Sequence, residues 1–286
     1  MVSALSETAD WGLLMAGIPD AHKYSKGKGI RVAVLDTGCP NHLDVTENLD
    51  GAFNASLSPT ATDKAGHGTH VAGIIAALEN GIGVIGIAPE AKIIPIKVLG
   101  DNGLSGFDTI ERGIRIAMAQ SVDIINLSLG SPIEPPASFH EAVKEAAAKG
   151  IFIFAAAGND AGNVNWPARY PETIAVGAID HKGNLATFSS RGPEMHVAGP
   201  GVNIYSTYLD NQYAVLSGTS QATPFIAGVA ALILSWQRAN PSMPPIKTVQ
   251  DMLHRLDDLS NQHGIIGGMG GIGFGVPVFA NDMPWR

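Results

Sequence analysis

The sequence predicts an α/β fold in which a mostly parallel central sheet carries helices on both faces, built as one domain over residues 1–286. Short apolar runs alternate with stretches of helical spacing, the pattern of parallel strands buried on both sides. The 34 glycines among 286 residues suit the tight turns such a fold needs. Asp36 and Asn159 each stand in a glycine-containing turn just past an apolar run. In open parallel sheets ligands bind at that edge, outside the carboxyl ends of the strands. With 45% apolar and 15% charged residues the chain can bury a sizeable core. No linker divides it, and no internal repeat of useful length occurs.

Residues 1–10 form an N-terminal segment, and the chain to residue 30 is mixed, with Trp11, Leu13, Leu14 and Ile18 as apolar anchors. Ile30 to Leu35 reads as the first strand, which leaves Asp36 at its carboxyl end before Thr37-Gly38. A polar loop runs to about Ala65. Val71, Ile74, Ile75 and Leu78 then recur at helical spacing, so His67 lies just before a helix or in its first turn. The loop Glu79-Asn80-Gly81-Ile82-Gly83-Val84 ends that helix. Lys92 to Leu99 reads as a strand. Asp108 with Glu111 is a helix-start signature. Ile110, Ile114 and Ala117 supply its buried face, and Glu111 with Arg115 an exposed i,i+4 pair. Val122 to Leu129 is the next strand. Ser138 with Glu141 opens another helix, which Gly150 stops. Ile151 to Ala157 is a fourth strand, running into Gly158-Asn159, and Thr173 to Ile179 a fifth. Ala222 to Trp236 is apolar and uncharged, long enough for a buried helix and too short to span a bilayer. The glycine-rich stretch 264–286 reads as irregular chain packed on the domain.

The formal net charge of −8 argues against a nucleic-acid partner and against anionic membranes. A single cysteine, Cys39, admits no intramolecular disulfide, which fits a reducing compartment. No basic stretch followed by an apolar one opens the sequence, so a secretory leader is not expected within it. The expected location is cytoplasmic, with the mature form of a secreted enzyme as the alternative. A homodimer is compatible with the composition.

Gly218-Thr219-Ser220 feeds the long apolar helix, so Ser220 sits where the first amides have no intrahelical partner. Those amides, at the positive end of the helix dipole, would stabilise negative charge developing beside Ser220. Pro224 falls near the first turn, where a missing N–H costs least. Alone, Ser-x-x-x-Pro would be an ordinary capped helix start; residues elsewhere in the chain change that reading. Nucleophilic catalysis by serine needs a base for the hydroxyl proton, a carboxylate to orient the base, and donors for the oxyanion. Ser220, His67, Asp36 and Asn159 are the right types, each in a Gly- or Thr-flanked turn at a strand end or helix start. The order Asp, His, Ser is one of three unrelated orders in which this constellation occurs.

Asp36-Thr37-Gly38, His67-Gly68-Thr69-His70-Val71-Ala72-Gly73 and Gly218-Thr219-Ser220-x-Ala222-x-Pro224 together resemble the motifs of the subtilisin-like serine proteases. Ala156-Ala157-Gly158-Asn159 is similar to that family's oxyanion segment, and the resemblance runs from about residue 5 to residue 280. Within the family, Val2-Ser3-Ala4-Leu5-Ser6-Glu7, Asp36-Thr37-Gly38-Cys39 and Ser206-Thr207-Tyr208-Leu209-Asp210 resemble the intracellular subtilisins, although the inhibitory extension of those proteins is not in this sequence. Gln221 and Thr223 depart from the commonest Met and Ser around the nucleophile.

The resemblance implies a serine endopeptidase of broad specificity acting on proteins or peptides. In it Asp36 orients His67, His67 is general base and then acid, Ser220 attacks the carbonyl, and Asn159 with the Ser220 N–H holds the oxyanion. His70 would be a satisfied core histidine. Ser128, Leu129 and Gly130 would pair with the substrate backbone and line one side of the first specificity pocket. Ala156, Ala157 and Gly158 would line the other side, with Asn165 near its floor. Leu104, Ser105 and Gly106 would form the opposite binding edge, with Phe107 near the fourth subsite. The family also implies a structural calcium ion held by carbonyls of Leu78, Ile82 and Val84, the Asn80 side chain, and the carboxylates of Asp44 and Glu7, an all-oxygen set that suits calcium. A weaker cation site near Ala168, Tyr170 and Thr173 is doubtful, because His196 stands where a carboxylate is often found, although Glu194 remains.

Other readings are weaker. An aspartic protease needs two Asp-Thr-Gly turns, and only Asp36-Thr37-Gly38 is present. A zinc enzyme could use His67 and His70, but they are i,i+3 and no zincin pattern surrounds them. A non-catalytic peptide-binding module would not need all four catalytic residue types. A peptide ligase or cyclase would share them.

Overall fold

The computed structural model describes residues 6–261 and 273–279. Helices α1 (Trp11–Met15) and α2 (Ile18–Ala21) lead into β1 (Arg31–Asp36), followed by β2 (Phe53–Asn54), α3 (His67–Ala76), β3 (Lys92–Lys97), α4 (Phe107–Ala119) and β4 (Ile124–Leu127). Then come α5 (Ala137–Ala148), β5 (Phe152–Ala156), β6 (Thr173–Ile179), β7 (Val197–Pro200), β8 (Ile204–Thr207), β9 (Tyr213–Leu216), α6 (Thr219–Ala239) and α7 (Val249–Asn261).

Seven strands form one sheet in the order β2-β3-β1-β4-β5-β6-β7, and every pair in it is parallel. The strand order reverses between β1 and β4, the crevice where doubly wound sheets bind ligands. Asp36 ends β1 at that crevice. Alternate residues of β1 feed two cores. Val32 and Val34 pack with α3, α6 and α7, while Ala33 and Leu35 pack with α4 and α5. The expected α/β layering, with helices on both faces, is therefore present.

Helix α6 lies inside one of these layers, and Thr219 to Leu234 are buried apart from Ser220. That is why its sequence is apolar all round. Pro224 removes the N–H that would reach the Ser220 carbonyl four residues back. The Ser128 hydroxyl fills the gap, donating to Ser220 O at 2.8 Å. Pro95 inside β3 is tolerated because β2 reaches β3 only at Ile96 and Lys97.

The two helix-start signatures lie one residue inside their helices. Helix α4 begins at Phe107 after an extended Gly106, and α5 at Ala137 after Pro136. Their side chains make ion pairs or surface bonds instead of caps. Asp108 pairs with Arg112 at 2.9 Å, and the Ser138 hydroxyl donates to Glu111 at 2.9 Å. The Glu111–Arg115 pair forms, and Gly150 follows α5 with a φ of 79°. Leu78 lies beyond α3, its N–H on the Asp44 carbonyl. The antiparallel ribbon β8–β9 was not expected. Within the tail, residues 273–279 are irregular and packed, with Phe279 N–H on Ala16 O. The remainder of 264–286, and residues 1–5, fall outside the described residues.

Candidate active site

His67 is the first residue of α3 and Asp36 the last of β1. His67 Nδ1 lies 2.8 Å from Asp36 Oδ1, which also accepts the Thr37 N–H at 2.7 Å. Asp36 is fully buried, whereas 30% of the His67 side chain is exposed. A proton on Nδ1 bonded to Asp36 leaves Nε2 as the basic nitrogen. Burial alone would lower the His67 pKa, but the Asp36 charge and hydrogen bond, with a smaller push from Asp63, raise it above its ordinary value. His70 is a core histidine, as expected, but only half satisfied, because its Nδ1 is buried without a hydrogen-bond partner among the described residues. Its Nε2 sits 3.1 Å from both the Ile204 and Ala214 carbonyls, and burial lowers its pKa to about 4.

Ser220 is the second residue of α6, and Gly218 precedes the helix. The Ser220 N–H therefore falls among the first, unpaired amides. Its hydroxyl donates to Ser128 O at 3.2 Å rather than to His67. Bonds between nucleophile and base are often loose before substrate arrives. Ser128 thus holds Ser220 twice, once through its carbonyl and once through its hydroxyl, and Asn126 donates to that hydroxyl at 3.0 Å. Asn159 Oδ1 accepts the Thr219 N–H at 2.8 Å and the Thr219 hydroxyl at 2.9 Å. Its oxygen is thereby occupied, and the NH2 group is left to donate. A Cβ built on Gly218 would lie 3.4 Å from that Nδ2, so the amide stands against the turn that carries Ser220.

A cleft of about 840 Å³ runs past His67. It is lined by Leu104, Ser105, Gly106 and Phe107, from the start of α4 and the segment before it, and by Ser128, Leu129 and Gly130, from the segment after β4. Ala156, Ala157, Gly158 and Asn165 do not line the cleft themselves but cluster beside Gly130. A Cβ on Gly130 would lie 3.4 Å from Asn165 Cβ and 3.6 Å from Ala156 O. Asn165 donates its backbone N–H to Ala157 O at 2.8 Å, and a Cβ on Gly158 would collide with its side-chain amide. Trp166, Pro167 and Phe139 also line the cleft, without having been singled out in the sequence, as does Ile110, which was read only as part of a buried helix face. Apolar residues of this kind carry no chemical signature, and only the fold brings them to one opening.

The loop after α3 draws Glu7, Asp44 and Asn80 together. Asp44 is buried, and accepts from Asn80 Nδ2 at 3.0 Å, Val84 N–H at 3.1 Å and Tyr213 OH at 3.1 Å. Glu7 Oε1 accepts the N–H groups of Asn80 and Gly81 at 2.8 and 2.9 Å. The Gly81 and Gly83 carbonyls bond the N-terminal segment. Among the described residues, the carbonyls of Leu78, Ile82 and Val84 accept no hydrogen bond. Asn80 Oδ1 accepts the Ile82 N–H at 3.0 Å, so this side chain currently offers its nitrogen to Asp44. Burial lifts the Asp44 pKa and Glu7 adds to the rise, which marks a place short of positive charge. Three spare carbonyls beside a buried carboxylate fit a hard cation.

The second cation region does not offer such a set. The Thr173 hydroxyl lies within 3.1 Å of the carbonyls of Pro167, Ala168 and Tyr170. His196 Nδ1 accepts the Ala175 N–H, and Glu194 faces Arg169 at 3.7 Å.

Of two buried residues beside His67, the sequence reading missed Asp63 and named Thr37 only as part of Asp36-Thr37-Gly38, without its bridging role. Asp63 accepts five hydrogen bonds, and Thr37 bridges Asp63 to Gly68. An Asp two and three residues ahead of Ala65 and Gly66 is an Asx-turn signal that could have found the first.

A profile described as the subtilase family matches residues 27–268. M-protease of Shouchella clausii (strain KSM-K16) is 42% identical over 262 residues, which are 91% of this chain and 68% of the relative. An alkaline protease of Alkalihalobacillus alcalophilus is 44% identical over 243 residues, 84% of this chain and 63% of its own length. Subtilisin Savinase of Lederbergia lenta is 44% identical over 239 residues, 83% of this chain and 87% of the relative. The chain thus spans about two thirds of the first two relatives. With this likeness over the stretch that holds Asp36, His67 and Ser220, the chain belongs to the subtilase family of subtilisin-like serine endopeptidases.

Proposed function

We propose that the chain hydrolyses peptide bonds of proteins with broad specificity, with Ser220 as nucleophile, His67 as base and then acid, and Asp36 as the group that orients His67. The observation that carries this reading is the 2.8 Å contact of His67 with a fully buried Asp36, in a residue that itself lines the cleft. Substrate would lie extended between Leu104–Gly106 and Ser128–Gly130, adding a strand to exposed backbone edges. Ser220 Oγ would release the Ser128 carbonyl, pass its proton to His67 Nε2 and bond the scissile carbon. The carbonyl oxygen, now negative, would be met by Asn159 Nδ2 and the Ser220 N–H. His67 would return the proton to the leaving amine, and water would repeat the sequence to free the acid.

Apolar or medium-to-large residues would precede the cut bond, because Gly130, Ala156 and Gly158 leave space and Asn165 can accept a polar tip. Cleavage-site mapping on a peptide library by mass spectrometry tests activity and preference together. The wild type should cut after many such residues, and Ser220→Ala should cut at none. A tenth of wild-type turnover surviving in that variant, or a strict demand for a single residue type, would overturn the reading.

Calcium belongs to the same proposal. The Leu78, Ile82 and Val84 carbonyls and Asp44 would hold it, with Asn80 turning its amide to offer oxygen and Glu7 tying the N-terminal segment to the loop. The ion would supply positive charge to Asp44 and rigidity to the loop. A further proposal is cellular placement. The lone, partly buried Cys39 suits a reducing cytoplasm, and the mature form of a secreted enzyme is the alternative. Among the described residues, no helix is long and apolar enough to cross a membrane.

A further inference from the structure

His67 begins a helix, so its ring stands at the positive end of the α3 dipole, the wrong place for a group that must become an imidazolium. Gly66 precedes the helix and offers no side-chain cap. Asp63 takes that part from outside the helix. It is only 5% exposed, and both oxygens are fully engaged. Oδ1 accepts the Thr37 hydroxyl at 2.8 Å and the Ala65 and Gly66 N–H groups at 2.9 Å each. Oδ2 accepts the Thr69 N–H at 2.8 Å and the Thr69 hydroxyl at 2.7 Å. Thr37 continues the chain, since its Oγ1 accepts the Gly68 N–H at 2.8 Å and its own N–H lies on Asp36. Asp63 therefore fixes the residues on both sides of His67 and, through Thr37, the turn that carries Asp36.

We propose that Asp63 is a positioning residue of the reaction, acting through Thr37 and the first turn of α3 to hold the His67 ring on Asp36 and to let that ring carry its proton. The inference rests on the peptidase reading for its role, but not for its measurement. Of the other charged or titratable groups around this turn, Cys39 lies beside Asp63: its carbonyl accepts the Asp63 N–H at 2.9 Å, and burial, with the Asp63 charge adding to it, pushes its thiol up to about 11, so it stays neutral. Asp36 faces the ring from β1, and His70 lies one turn on, neutral on two carbonyls. Lys97 of β3 reaches the Thr37 carbonyl, with Asp101 2.9 Å behind it and Lys64 3.9 Å from Asp101. The Tyr208 hydroxyl donates to Ala65 O at 3.0 Å. No other anion touches the first turn of α3 among the described residues, and Asp63 adds to the Asp36 effect in raising the His67 pKa.

The test titrates His67 by NMR in the full chain carrying Ser220→Ala, with and without Asp63→Asn, and compares the acid limb of kcat/KM in the Ser220 forms. The His67 pKa and the acid limb should both fall by roughly half a unit or more, and kcat by about tenfold with KM little changed. An unmoved His67 titration overturns the proposal even if Tm drops, because a merely structural role would change only Tm. If wild type cleaves nothing, the peptidase reading fails while the titration still decides on Asp63. Should Asp63→Asn not fold, Thr37→Val decides. It keeps both carboxylates, so kcat should fall with the acid limb in place, and Thr37→Ser should restore it. Wild-type kcat in Thr37→Val would overturn the proposal.

Discussion

Helices α3 and α6 both start beside the cleft, both follow a glycine and both are largely buried, yet their N-termini are finished in opposite ways. At α3 the Gly68 and Thr69 amides are taken by Thr37 and by the Asp63 carboxylate. At α6 the Thr219 amide meets only the neutral Asn159 oxygen, and the next amide, of Ser220, has no partner among the described residues. A charge at a helix end is worth roughly 0.3–1 kcal/mol, and up to about 2 when partly buried. A carboxylate closing α3 favours a cation there, and a neutral partner at α6 leaves its field for an anion. The two ends thus match the two charges that develop in acyl transfer, imidazolium and oxyanion. One structural element serves opposite charges because of what caps it.

The sharpest way to break this comparison is to disable the open end. Asn159→Ala should lower kcat by roughly two to three orders of magnitude with little change in KM, since the amide would meet charge that is complete only in the transition state. That size is the one known for such a donor in a subtilisin, a relative of this chain, and is taken over here. Unchanged turnover would mean that the oxyanion is held by other groups.

The far end of α3 gives the next effect. Calcium bound at the following loop should stabilise the folded chain by about 4 kcal/mol when free ion exceeds its dissociation constant a thousandfold. The measurement is thermal unfolding of the Ser220→Ala protein, which cannot digest itself, in excess calcium and in excess chelator. Equal midpoints after verified metal removal would refute the site, and Asp44→Ala should reproduce the drop without chelator.

A smaller effect, on the order of 3 kcal/mol, concerns His70, which ties α3 to the β8–β9 ribbon leading into α6. Burial lowers its folded pKa from 6.5 to about 4. Between these values the unfolded chain binds the extra proton, so stability is complete above the upper value and is lost as pH falls towards the lower one. Urea unfolding of Ser220→Ala at neutral pH and near pH 4 should differ accordingly, and His70→Asn should flatten that difference. An equally steep loss in His70→Asn would assign the acid lability to other groups.

Much of this arrangement was legible in the sequence. The periodicity of Val71, Ile74 and Ile75 placed His67 at a helix start, and the apolar run behind Ser220 did the same for α6. The apolar runs before Asp36 and Asn159 put both at one sheet edge, because parallel strands buried on two faces read as unbroken apolar segments. What stayed hidden depends on distant partners. The caps at Asp108 and Ser138 lost their side chains to Arg112 and Glu111, which local signatures cannot foresee. Ribbon β8–β9 is short, and its exposed face lacks clean alternation. Asp63 looked like one more polar loop residue until the fold set it under both His67 and Thr37.

The central claim is that Ser220 is made nucleophilic by His67 on Asp36. It is tested most directly by labelling the intact chain with a serine-directed phosphonate across a pH series and locating the adduct by mass spectrometry. The account predicts one adduct, on Ser220, with a rate that falls as pH drops through the raised His67 pKa and that collapses in His67→Ala. An adduct elsewhere, or a Ser220 rate indifferent to pH and to His67→Ala, would contradict it.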